Sequence, residues 1–279
     1  STAEVATFLS GQTDVMMNVQ QPDFGRVKAT PGVEALNVPS SRFVCLTMRQ
    51  DQKPFDDLRV RKAMSMAVDR KALIDLVLEG LGRPAADTNV GMDLKYAIDL
   101  PVREYDPAGA KALLAEAGYP DGITIKLQSS DRPAIRSQVA IAVQSMAAPA
   151  RFNLEVETVP HDIYLANVWM KSNFYVGYWI QQSTIDGAFT NLFTTDASFP
   201  DTAWNNETFD KLVADAKSTL DEERRAKLYA DAQKLMHEEI PAAILYFEDM
   251  LSANWSRVDG WVASPLQRTY FLERIKKTT

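Results

Sequence analysis

The stretch from Pro54 to Gly80 constrains the fold more than any other part of this chain. It reads as two helices in tandem. Asp56 or Asp57 can accept hydrogen bonds from the free N–H groups of a first turn. Val60, Ala63, Met64, Ala67 and Val68 recur at helical spacing and make one buried face. Asp69 can cap a second helix, with Leu73, Leu76 and Val77 inward and Gly80 as its stop. Such a pair needs no function of its own, because well-capped helices commonly serve packing alone.

The rest of the chain alternates helical and extended patterns. Residues 2–10 read as a helix, followed by Gly11 and a short strand over 13–17. Strands are expected near 33–38 and 42–48. An irregular stretch over 82–105 precedes a complete helix signal. There Asp106 caps, Pro107 takes the first helical position, Gly118 ends the helix and Pro120 prevents continuation. A strand over 123–128, a helix over 134–148 and a strand over 153–159 follow. A short helix near 162–171 and a strand over 174–179 lead into a long aromatic-rich loop to about 205. Phe209, Leu212, Val213, Ala216 and Leu220 line one further helix. Asp221 caps another, carrying Leu228, Ala232, Leu235 and Met236 up to Pro241, before a strand over 243–247. This alternation predicts an α/β sheet with helical cover.

Composition narrows the function classes. The chain has 279 residues, 46% of them hydrophobic, so a sizeable core is expected. The net charge is −7, and no stripe of Lys and Arg with interleaved aromatics appears, which argues against nucleic-acid binding. The longest basic run, over 273–277, reads as a solvated end. No apolar stretch reaches the roughly 20 residues of a membrane span. The single cysteine, Cys45, lies in an alternating strand and reads as a buried packing thiol. Ser1-Thr2-Ala3-Glu4-Val5 looks like the inside of a helix, so the chain is expected to start within a longer protein.

Several segments closely resemble one family. Pro54–Leu73 matches its signature, and residues 106–122 fit its DPxxAxxLLAEAGYPDG pattern. Leu9-Ser10-Gly11-Gln12-Thr13-Asp14 resembles its L-x-G-x-x-D step, and Trp204–Asp210 its W-x-N-x-x-F/Y-D element. Glu222–Pro241 resembles its last long helix. In this order the chain is similar to the family 5 extracellular solute-binding proteins, the peptide, nickel and oligosaccharide receptors of ABC importers. The resemblance implies an α/β fold of the type II periplasmic-binding-protein (Venus-flytrap) kind. One lobe would be a mixed sheet with flanking helices, accompanied by part of the other lobe. Residues 1–43 and 250–279 would be a remnant of lobe one. Residues 44–249 would form the second ligand-binding lobe, with hinge strands at its ends and Cys45 at the hinge.

The function so implied is non-covalent capture of a solute, peptide first, and delivery to a membrane permease, in the periplasm or outside the cell. An oligosaccharide or another small polar solute is the alternative, and an α/β hydrolytic enzyme a more distant one. No catalytic, metal or cofactor site is expected. His161 and His237 stand alone, and no phosphate loop, nucleophile elbow, H-E-x-x-H or C-x-x-C occurs. Asp221-Glu222-Glu223 reads as a helix start whose carboxylates complement the dipole.

The expected ligand-binding residues are Tyr178, Trp179, Gln181, Gln182, Asp186, Trp204, Asn205, Arg49 and Arg136. The segment 174–206 mixes aromatic faces with amides and a carboxylate, as a recognition cleft needs. Phe189, Phe193 and Phe209 are expected in the core. Trp179 matches the family's Trp after the strand. Gln182 stands where peptide-binding members carry the Asp that holds the ligand α-ammonium, and Asp186 lies one residue off the position of the family's second Asp. Arg49 replaces an Asn near the ligand; its fork suits a carboxylate or phosphate, or a pair with Asp51 or Asp56. Arg136 matches by position a basic residue used on the ligand carboxylate, or else is a solvated helix residue. An exposed apolar face where the other lobe belongs, and self-association through it, are also expected.

Overall fold

A computed structural model describes residues 2–266, 269 and 272–278. In chain order the elements are α1 (Thr2–Leu9), β1 (Val15–Met16), α2 (Gln21–Lys28), β2 (Val33–Met48), α3 (Leu58–Met66) and α4 (Arg70–Leu78). Then come β3 (Gly82–Pro84), α5 (Pro107–Glu116), β4 (Ile123–Ser130), α6 (Ile135–Ala147) and β5 (Phe152–Val159). The short α7 (His161–Ile163) runs into a π turn at Tyr164–Val168. It is followed by β6 (Phe174–Trp179), α8 (Ile185–Thr190), α9 (Glu207–Ser218), α10 (Glu222–Glu239) and β7 (Ala242–Trp255). A separate ladder joins β8 (Val258–Asp259) to β9 (Lys276–Lys277).

The seven-stranded main sheet has the order β1-β7-β2-β6-β4-β5, with β3 on β7. It is mixed: β2 is antiparallel to both β7 and β6, whereas β4 is parallel to β5 and β6. Alternation along β2 splits the core into two layers. Val44, Leu46 and Met48 face the layer formed with α3, α4, α5 and α6. Phe43 and Cys45 face the layer formed with α8, α9 and α10. A third cluster joins Val5 and Phe8 of α1, Phe24 and Val27 of α2, and Leu251 and Ala253 of β7.

The tandem helices form as their caps dictate. The Asp57 carboxylate accepts from Arg59 N at 2.8 Å and Asp69 from Ala72 N at 2.9 Å. Val60, Ala63, Met64, Ala67 and Val68 are fully buried. The second helix buries Leu73, Ile74, Val77 and Leu78, and Leu76 is exposed instead of inward, because it falls outside that arc. Leu220 is also exposed: α9 stops at Ser218, before it. The two strands expected over 33–38 and 42–48 are one strand, β2. Its register with β7 breaks between Val38↔Met250 and Arg42↔Glu248, where Pro39, Ser40 and Ser41 oppose Asp249 alone. Such a bulge bends the strand.

One helix, α2, was not expected from the sequence, and two local expectations are corrected. Helix α2 lacks a side-chain cap and carries Pro22 in its first turn, so its start gave little local signal. The expected helix over 162–171 is a single turn that widens into a π turn and stops at Val168, with Met170 at φ +58°. The loop to 205 contains α8, capped by Thr184 onto Gly187 N at 3.1 Å.

Candidate functional site

The site grows from a split in the sheet. Strands β4 and β6 pair at Gln128↔Tyr175. Beyond that point β4 stays with β5 to Ser130↔Val159, while β6 follows β2 to Trp179↔Phe43. The two carboxyl ends therefore diverge, and a crevice opens where neighbouring connections leave in opposite directions. Helix α6 starts directly after β4, which brings its second residue, Arg136, to the crevice.

Arg136 is buried, at 7% exposure, which rules out the solvated alternative. Its guanidinium carbon lies 4.6 Å from the Tyr164 ring centre and 5.6 Å from that of Tyr178, so two π faces receive the charge. Its one hydrogen bond, from Nη2 to the Tyr178 carbonyl, is long at 3.5 Å. Nε and Nη1 are buried with no partner among the described residues. An unpaired cation in such surroundings is costly, and an anionic group brought beside it removes that cost.

The π turn supplies the opposite wall. Trp169 N donates to the Tyr164 carbonyl at 2.9 Å, and the Tyr164 hydroxyl donates to Val176 O at 2.9 Å. The rings of Trp169, Trp179 and Phe199 pack on one another at 5.6–6.0 Å. Asp201 anchors this cluster, accepting from Trp179 Nε1 at 3.0 Å and from the Tyr175 hydroxyl at 2.9 Å. Burial pushes the Asp201 carboxyl up to about 6, although these donors, the Trp169 indole and Arg136 all pull it down. Arg136, Tyr164, Trp169, Tyr178, Trp179 and Asp201 line a pocket of about 160 Å³.

Tyr178 also lines a second cavity, of about 520 Å³, between the Asn18–Pro22 segment and α6. There Arg42 Nη1 donates to the Tyr178 hydroxyl at 3.1 Å, which donates to Glu248 Oε2 at 3.2 Å. Glu248 is buried, and burial holds its carboxyl at about 7, above the ordinary range, against the pull of Arg42 and the Tyr178 hydroxyl.

The structure brings Tyr178, Trp179 and Arg136 together and places the other sequence candidates elsewhere. Gln181 is a clip: it donates to Asp93 Oδ2 at 2.8 Å and accepts from Ser41 N at 2.9 Å. Gln182 accepts from Asn191 Nδ2 at 2.8 Å. Asp186, in the first turn of α8, lies 3.8 Å from Lys217. Trp204 is buried with its ring 4.8 Å from that of Phe209, and Asn205 is exposed before α9. Arg49 grips Asp51 through two bonds of 2.9 and 2.7 Å and donates to Met170 O at 2.7 Å. The Nε–Nη2 edge of its fork is thereby taken by Asp51. Phe189, Phe193 and Phe209 are buried in the core as expected.

Tyr164, Trp169, Asp201, Arg42 and Glu248 were not singled out from sequence. The crowding of aromatics over 164–179 was the available signal; the buried acids carry none, because only the strand order brings them to the cavities. Cys45 is buried, its Sγ 3.6 Å from Thr47 Oγ1, and burial pushes the thiol up to about 12. His237 Nδ1 lies 2.8 Å from Ala86 O, and His161 Nδ1 lies 3.0 Å from Ser130 Oγ. Among the described residues, no three His, Cys, Asp or Glu side chains are grouped to hold a metal, and no helix is long and apolar enough to cross a membrane.

Comparison with known proteins places this architecture. The chain is 27% identical over 275 residues to the dipeptide-binding protein of Escherichia coli K12, covering 95% of this chain and 51% of that protein. It is 31% identical over 239 residues to the glutathione-binding protein GsiB of Pectobacterium atrosepticum, covering 81% of this chain and 46% of that protein. The chain thus spans about half the length of these relatives. Its fold superposes with a TM-score of 0.86 on the periplasmic binding protein DppA of Helicobacter pylori in complex with the peptide STSA, at 19% identity. That match covers 100% of this chain and 55% of the other. The family model for bacterial extracellular solute-binding proteins, family 5 (middle), matches residues 1–201, and the chain belongs to that family.

Proposed function

We propose that this chain supplies a ligand-binding lobe and part of the hinge of an ABC-importer receptor, which captures a solute non-covalently. The observation that carries this reading is Arg136. It is a buried guanidinium with two unpartnered nitrogens, set among aromatic faces at the carboxyl ends of diverging strands. A solute carboxylate beside it completes its bonds, and Tyr178, Trp179 and Trp169 offer the solute apolar faces.

Peptide is the favoured solute class. The two named relatives are described as binding a dipeptide and glutathione, and both ligands carry carboxylates. The indoles of Trp169 and Trp179 favour an oligosaccharide as the second reading, since a sugar ring packs on such faces. Catalysis is not part of the account: the carboxylate beside Trp179 is Asp201, whose oxygens are occupied by Tyr175 and Trp179.

In this reading residues 1–43 and 250–279 belong to lobe one and residues 44–249 to the second lobe. The bulge at Pro39–Ser41 supports a hinge there, because it interrupts the β2–β7 ladder between the third core cluster and the other two. Closure brings both lobes onto the solute, and the closed form docks on a permease at the outer face of the cell membrane. Leu165 and Ile180 line the two cavities and are exposed, at 45% and 60%. They form the face another lobe would cover, and through which the isolated chain self-associates.

A thermal-shift panel of di- and tripeptides, oligosaccharides and small organic acids tests the proposal, since a ligand bound by the native state raises Tm by mass action. Stabilisation by peptides supports it. Stabilisation by neutral sugars alone overturns the peptide assignment, and no stabilisation by any class overturns solute capture.

A further inference from the structure

Solute capture at Arg136 leaves a charged feature of the neighbouring cavity, which shares Tyr178 with it, unassigned. Glu248, on β7, is 2% exposed and lines the 520 Å³ cavity. Its Oε2 takes the Tyr178 hydroxyl, while Oε1 has no partner among the described residues. A buried carboxylate oxygen without a donor costs free energy, and an N–H group delivered into the cavity recovers it.

The charged neighbours decide the sign of that group. From β2, Arg42 approaches Oε2 at 3.8 Å, on the oxygen already bonded. From β3, Arg83 is committed to Ser40 O at 2.8 Å and stands 3.8 Å from Asp249. From β6 comes the Tyr178 hydroxyl, and from β7 itself Tyr246 and Asp249. Asp249 also lines the cavity, and its Oδ1 has no hydrogen-bond partner. Two acceptor oxygens therefore lack donors among the described residues, and two carboxylates face the one arginine that lines the cavity, Arg42, whose Nη1 is taken by the Tyr178 hydroxyl and whose Nε is likewise without a partner. Asp201 does not compete, because its oxygens already hold Tyr175 and Trp179.

Resting on the proposed solute capture, we infer that Glu248 receives a cationic, N–H-bearing end of the solute, at the hydroxyl end of Tyr178, with the solute carboxylate at Arg136. Tyr178 is the shared element, since it lines both cavities and touches both groups. This assigns to a crossing strand the carboxylate that family resemblance placed at position 182, where this chain has Gln. It also couples binding to protons. The free carboxyl sits at about 7, and a bound cation favours its ionised form, so capture releases a proton in slightly acid solution.

Calorimetry on the full-length protein carrying this chain tests the assignment with Ala-Phe and its N-acetyl form. The wild type is expected to prefer the free amine by about tenfold or more, the worth of a charge-assisted bond. In Glu248→Gln that preference closes to within about twofold. Proton release, read as a buffer-dependent heat at about pH 6.5 where the peptide amine stays charged, disappears with it. Retention of both the preference and the proton release in Glu248→Gln overturns this assignment alone. A wild type that binds neither peptide overturns the solute reading as well. Should Glu248→Gln melt early, the proton release of the wild type still decides, because its absence refutes the assignment.

Discussion

The Trp179 indole donates to the buried carboxylate of Asp201 at 3.0 Å, and the Tyr175 hydroxyl meets the other oxygen of the same group at 2.9 Å. One acid thereby fixes two aromatic side chains of β6 and, through Trp179, the wall of the crevice. Burial raises its pKa to about 6, so the folded state holds the proton more tightly than the unfolded chain does. Its contribution to stability is greatest below the ordinary carboxylate range, falls as pH rises towards about 6, and is level above. Asp201→Asn carries no such charge. Relative to wild type, the variant gains roughly 2 kcal/mol between pH 4 and 7, from the size of the shift. Denaturant melts at both pH values check this; a parallel pH dependence contradicts it.

Arg136 separates stability from binding. Its charge is buried with two nitrogens unpaired, so Arg136→Met removes an uncompensated cost and keeps most of the side-chain volume. The unliganded variant is expected to melt at or above the wild-type temperature and to lose ligand-induced stabilisation. A drop in unliganded stability of more than about 2 kcal/mol shows that the tyrosine faces satisfy the cation by themselves.

The irregular stretch between β3 and α5 is held by a buried ion network. Asp87 is fully buried and accepts from Arg70 at 2.6 Å, Arg103 at 3.0 Å and the Ser65 hydroxyl at 2.7 Å. Asp87→Ala leaves Arg70 buried and uncompensated, and a loss of about 3–5 kcal/mol is expected. Chemical denaturation measures it; a loss under about 1 kcal/mol shows that other acceptors replace the carboxylate.

Gly177 sets how closely β6 approaches β2. A Cβ there would stand 2.7 Å from Cys45 Sγ and 2.8 Å from Thr47 Oγ1. Gly177→Ala should cost about 1–3 kcal/mol through overpacking. Adding Cys45→Ala opens space and is expected to recover part of it, and strict additivity in the double-mutant cycle contradicts this steric account.

Local chemistry was legible in the sequence and long-range placement was not. Asp57, Asp69, Asp106 and Asp221 each cap the helix that follows, because the N–H groups they satisfy lie two or three residues away. Trp179 and Arg136 could be named as candidates by resemblance, and both line the crevice pocket. Trp204 looked equally suited to a cleft, but it packs on Phe209 once α9 folds over it. Gln181 offered a free amide on paper, yet Asp93 and the Ser41 N–H claim it across the chain. Glu248 sat unremarked in an apolar strand; only its pairing opposite Arg42 and its reach to Tyr178 turn it towards the cavity.

The most direct measurement is a calorimetric titration of the full-length protein with a dipeptide and its C-terminal carboxamide, on the wild type and Arg136→Met. The account predicts that the wild type favours the free carboxylate by about tenfold or more, and that the variant binds both forms equally weakly. Equal affinity of the wild type for acid and amide would contradict it, because the buried guanidinium would then not be what the solute carboxylate meets.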